Sequence, residues 1–259
     1  MTTATASFTT EFDIGRVVRR AFDAVRANLV GFAVIAALFN ALPILISGAV
    51  RLATIGSVGN PGAAAIMSLL TLPVSLLVLV GLVVGQAALI VGAMGYMNGN
   101  TYSAAECVAK GAPHWWRLLL VVLVEGVLIA LGLVLLLVPG LILMTRWSVA
   151  SVAQVVEGSG VRASLGRSAT LTKGRRWPIF GLMVVCLIAV YIFEMVLIAL
   201  TGGFSSGFMG AMLSPVTQLL ISPLLQLVLT PVLVSGLTSI YFELSGGGVG
   251  SARTAAVFD

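Results

Sequence analysis

Apolar residues in this chain do not alternate with polar ones. They run on for twenty positions or more, and short polar segments separate the runs. An apolar run of about 20 residues can cross a hydrocarbon core of about 30 Å as a helix. Four runs are plain: Leu29 to Val50, about Ser68 to Tyr96, Ile179 to Leu200 and about Met212 to Leu244. The short alternating segments of a transmembrane barrel do not occur, so the fold expected is an all-α integral membrane protein.

The stretch from Leu118 to Val156 fits either one span with a tail or two short spans. Charge decides its reading. Lys and Arg of short loops stay cytoplasmic, and a single crossing would put Arg162 to Arg176 opposite Arg16 to Arg26 and Lys110 to Arg117. Pro139 and Gly140 break the run, giving helices at Leu118 to Val138 and Leu141 to Val156. The second is short, and a re-entrant hairpin is the alternative.

The expectation is therefore about six spans arranged as three hairpins. Residues 1–28 form a cytoplasmic tail and amphipathic helix, 29–244 one polytopic membrane domain, and 245–259 a second cytoplasmic tail. Outer loops fall near 51–66, 139–140 and 201–211. Of the 14 Lys and Arg, only Arg51 lies in an outer loop and only Arg146 in a span. The apolar run from Leu29 exceeds a signal-peptide core of about 7 to 15 residues, so it is read as the first span.

Composition sharpens this picture. The chain is 59% hydrophobic and 9% charged, against about half and about a quarter in soluble domains. A net charge of +5 would suggest nucleic acid in a soluble protein; here it reports orientation and points to acidic lipid head groups, with no nucleic-acid partner expected. Cys107 and Cys186 form no ligand motif and read as packed free thiols. His114 is the single histidine, so no multi-histidine metal site is expected, and no cofactor. Gly158, Gly160 and Ala163 fit a G-x-G-x-x-A pattern, but no strand precedes them to make a dinucleotide loop. No residue pattern identifies a reaction or a catalytic residue.

A pattern recurs three times: "IGRVVRRAFDAVRANLVGF", "AAECVAKGAPHWWRLLL" and "VRASLGRSATLTKGRRWPIF" each lead a basic, partly amphipathic segment into a hairpin. In the first, Ile14, Val17, Val18, Ala21, Phe22 and Val25 share a face opposite Arg16, Arg19, Arg20, Asp23 and Arg26, which predicts an interfacial helix on the cytoplasmic side. The third allows the same role, with Trp177 at the interface.

Charged groups inside spans are costly and are functional candidates. Glu125, Arg146 and Glu194 are of this kind. By helical rise, Arg146 and Glu194 each lie about 10 Å in from the outer side, where they could form an ion pair. Glu125 is level with Gln154, which predicts a hydrogen bond between helices. A transporter of a small or amphiphilic substrate would use the same Arg146 and Glu194 pair. Gly81, Gly85, Gly92 and Gly95 predict close helix packing.

The run "RWSVASVAQVVEGSGVRASLGRSATLTKGRRWPIFG", residues 146–181, resembles a signature of the YciC-type bacterial inner-membrane proteins, which are related to the membrane domain of glycerophosphodiester phosphodiesterase. The matching positions are Arg146 and Trp147, Glu157 and Gly158, Arg167 and Ser168, Leu171, Lys173 and Gly174, and Trp177. "VPG" at 138–140, "SIYFEL" at 239–244 and the early "FDIGRVVRRAF" also look like that family. The resemblance implies a polytopic inner-membrane protein of about six spans with envelope or lipid-related work. It does not bring the hydrolase activity, whose acidic and histidine metal-site set is missing from this sequence. The reading is a non-enzymatic module that binds lipid or a partner protein through Glu157, Arg162, Arg167, Ser168, Lys173, Arg175 and Arg176, with the arginine forks engaging phosphates.

Overall fold

The structure, a computed structural model, describes residues 12–57, 59–200, 210 and 214–246. Among these every regular element is helical. Helix α1 (Ile14–Ala27) is followed by α2 (Leu29–Ala36), α3 (Leu42–Gly56), α4 (Pro61–Met97), α5 (Ala104–Gly111) and α6 (Trp115–Leu135). Then come α7 (Leu137–Trp147), α8 (Ala150–Glu157), α9 (Val161–Leu171), α10 (Arg176–Leu200) and α11 (Ser222–Leu244). Among the described residues, five stretches are long and apolar enough to cross a membrane: Leu29–Gly56, Pro61–Met97, Ala104–Leu135, Arg176–Leu200 and Thr217–Leu244.

Local chemistry sets the ends. Asp13 caps α1 by accepting from the Gly15 and Arg16 N–H groups, Asn60 caps α4, and Ser103 with Glu106 forms a reciprocal capping box on α5. Two π turns, Ala37–Ala41 and Thr217–Ile221, precede α3 and α11, each with a proline two residues on, Pro43 and Pro223. Proline lacks the N–H that the carbonyl four residues back would receive, and the helix widens there.

The core sits at one end of the bundle. The second half of α4, Val83 to Met94, is surrounded by Val17, Phe32, Cys107, Leu118, Val152, Val156, Ile179, Ile240 and Tyr241 from seven other helices. Glycines permit the approach, as expected: a Cβ on Gly92 would collide with Phe32, one on Gly85 with Phe39 and one on Gly95 with Tyr102. Toward the other end the hairpins separate, and Leu69, Leu77, Val134, Ile192, Leu200 and Leu224 are exposed. Such an aliphatic surface suits acyl chains, not water. At 37 residues, α4 is about 55 Å long, far more than a bilayer core of about 30 Å requires.

Two expectations change, and a third lies outside the described residues. The connection after the first span is Ser57–Asn60 and not 51–66, because α3 and α4 both extend into it. The outer connection at 201–211 lies, apart from Met209's neighbour Gly210, outside the described residues. The segment 141–156 is not one helix: α7 ends at Trp147 and α8 begins at Ala150. The order short helix, long helix, returning leg does recur three times, led by α1, α5 and α9.

Candidate functional site

The residues singled out around 157–176 gather at the packed end. Helix α8 stops at Glu157 because Gly158 (φ +61°) and Gly160 (φ +87°) take left-handed backbone that reverses the chain, so α9 runs back along α8. Glu157 Oε1 accepts from Arg167 Nε at 2.8 Å and from the Tyr241 hydroxyl at 2.6 Å, and thereby ties α8 to α9 and α11. Arg117 donates to the Gly158 carbonyl at 3.2 Å and adds α6 to the same junction. The hydrogen bond to Glu157 holds the Arg167 guanidinium protonated more firmly than usual.

The inner face of α9 is polar. Ser164, Ser168 and Thr172, four residues apart, are all fully buried. Ser164 donates to Gln154 Oε1 at 2.8 Å, while Ser168 and Thr172 both donate to the Arg146 carbonyl, at 2.9 and 3.2 Å. Carbonyls in the last turn of α7 lack helical donors, and α9 supplies them. The S-x-x-x-S-x-x-x-T spacing was legible in the sequence as a stripe but was not read as one.

This sorts the candidate residues. Ser168, at 0% exposure, is a packing group and is not available to a ligand. Glu157 and Arg167 hold each other. Arg162 and Lys173 are exposed and have no side-chain partner among the described residues. Arg175 and Arg176 are half-buried, and Arg176 Nε has no hydrogen-bond partner there. Trp177 projects outward, edge-on to Phe180.

The expected Arg146 and Glu194 pair does not form. The Arg146 carbonyl is bonded to Thr172, four residues before Arg176, whereas Glu194 stands eighteen residues up α10 from Arg176, about 27 Å away. Arg146 instead projects, exposed, beside the basic segment. Nor does Glu125 bond Gln154: the amide Nε2, from which a carboxylate would accept, has no hydrogen-bond partner among the described residues, and Oε1 accepts from Ser164. Gly132 packs backbone to backbone against Gly140, and that antiparallel register sets Glu125 opposite Trp147, not Gln154.

A second polar junction went unread. Glu243, whose side chain is 7% exposed, pairs with Arg16 and Arg20 of α1, and Arg20 lies over the Phe242 ring. Nearby, Ser239 donates to the Val17 carbonyl at 2.9 Å. Helix α1 is thus clasped to α11 through Val17, Ala21 and Ala24. Ile14, Val18 and Phe22, half of the apolar face read from the sequence, remain exposed, while Val17 and Ala21 are spent on the protein. The signal was a lone glutamate in the apolar run "SIYFEL", opposite in charge to an arginine-rich helix.

No family model matches the chain, and no solved structure matches it. A UPF0259 membrane protein of Pectobacterium carotovorum subsp. carotovorum is 34% identical over 77 residues, covering 30% of this chain. The match spans 31% of that relative, less than a third of its length. With five long apolar helices, this chain is a bacterial membrane protein.

Proposed function

We propose that the protein is a non-enzymatic, multi-pass protein of the bacterial cytoplasmic membrane that holds anionic lipid head groups on its cytoplasmic face. The observation that carries this reading is the set of cations around the start of α10. Among the described residues Arg162 and Lys173 are exposed without acidic partners, Arg146 projects beside them, and Glu157 is already satisfied by Arg167 and Tyr241. A phosphate supplies the missing acceptor, and exposed Trp177 suits the head-group level. The basic residues crowding the packed end support an orientation with both ends cytoplasmic. The likeness to YciC-type proteins supports lipid-related work and brings no hydrolase.

The test is thermal unfolding in neutral detergent with and without added phosphatidylglycerol. Wild type gains stability, and Arg162→Ala with Lys173→Ala loses most of that gain, each cation near a charged surface being worth about 1 kcal/mol. Equal gains in both proteins would refute the site.

A further inference from the structure

We infer that α6 and α7 form a re-entrant hairpin that turns inside the hydrocarbon core without reaching the outer surface. Length is the first reason. Helix α7 has 11 residues, about 16 Å, roughly half of a bilayer core of about 30 Å. Its lower end is fixed, because Ser168 and Thr172 bind the Arg146 carbonyl and Lys173 follows directly. The basic belt therefore lies level with the end of α7, and only α7 separates it from the turn. Helix α8 adds no depth: it lies on the far side of that belt, buried within the packed end. The first half of α6 lies there with it, as the bond from Arg117 to Gly158 shows.

Chemistry is the second reason. From Gly126 to Met144 the chain reads "GVLIALGLVLLLVPGLILM", with no polar side chain. At the turn Val134, Leu135 and Leu136 are 85%, 77% and 67% exposed. Water there would face a bare aliphatic tip, whereas acyl chains would cover it. The end of the α3 to α4 connection, by contrast, carries a polar cap: Asn60 Oδ1 accepts from the Gly62 and Ala63 N–H groups. The α7 start has no side-chain cap. It needs few donors satisfied, since Pro139 has no N–H and the Gly140 N–H reaches the Leu136 carbonyl. The hairpin is tightly closed there: a Cβ on Gly140 would collide with Leu133, and one on Gly132 would crowd the Gly140 backbone.

The inference rests on the proposed cytoplasmic placement of the basic segment, and the test separates the two. In a Cys107→Ala, Cys186→Ala background, single cysteines replace Leu136, Gly59 and Ala163. An impermeant maleimide is applied to either side of oriented vesicles. The expected result is that Gly59→Cys labels from outside, Ala163→Cys from the cytoplasmic side, and Leu136→Cys from neither. Bimane attached to Leu136→Cys in detergent and then reconstituted is quenched more by lipids brominated near the bilayer centre than by lipids brominated near the head groups. Labelling of Leu136→Cys from the side that labels Gly59→Cys would overturn the hairpin, as would labelling from the side of Ala163→Cys. Labelling of Ala163→Cys from outside would instead refute the orientation, with the bimane depth alone then judging the hairpin.

Discussion

Ser168 donates its hydroxyl to the Arg146 carbonyl at 2.9 Å, and so fastens the basic helix α9 to the end of a helix that is too short to cross a bilayer. A side chain from the signature-like segment thus serves as a joint, and the depth of the α6 and α7 hairpin depends on it. Ser168→Ala should cost about 1 kcal/mol, because Thr172 still serves the carbonyl, whereas Ser168→Leu should cost about 3 kcal/mol by overfilling a buried site. Thermal unfolding in detergent measures both.

The Glu157 junction predicts coupling. Tyr241→Phe removes one donor and leaves Arg167 in place, so it should cost about 1 kcal/mol. Glu157→Gln weakens both bonds at once. A double-mutant cycle between Tyr241→Phe and Glu157→Gln should give an interaction energy of about 0.5 kcal/mol or more; additivity would mean the hydroxyl contributes nothing through Glu157.

The clasp between α1 and α11 should open when its carboxylate is neutralised. Glu243→Gln leaves Arg20 without a charged acceptor among the described residues and Arg16 with Asp13 alone, and should cost about 2 kcal/mol. Hydrogen exchange across Ile14–Ala27 is the direct readout, and protection should fall there more than in the second half of α4.

Gly85, Gly92 and Gly95, in the packed half of α4, should tolerate nothing larger. A side chain on Gly92 meets the Phe32 ring and the Cys107 sulfur, so Gly92→Leu should cost about 3 kcal/mol or prevent folding. Gly81→Leu should be mild by comparison, since only Pro43 and the Phe39 carbonyl lie near.

Long apolar runs made the spans legible, because hydrocarbon selects composition over a whole helix length. The basic segments likewise declared themselves, and they gather at one end of the structure. Pairwise contacts were not legible in this way. Arg146 and Glu194 looked matched because both were counted from assumed outer turns, but α7 stops early and α10 does not, so the two counts started from different levels. Glu243 and Tyr241 were missed for the opposite reason: their partners, Arg20 and Glu157, lie 223 and 84 residues away, and no local period reports such pairs. The stripe of Ser164, Ser168 and Thr172 was visible at helical spacing, yet only the break between α7 and α8 shows what it satisfies.

Native mass spectrometry of the gently solubilised protein tests the lipid reading most directly, with Arg162→Ala, Lys173→Ala beside wild type. Arg167 is left intact because Glu157 holds it. Retained anionic lipid on the wild type that the variant loses is the predicted result. Identical spectra, whether both retain such lipid or neither does, would contradict a head-group site at the start of α10.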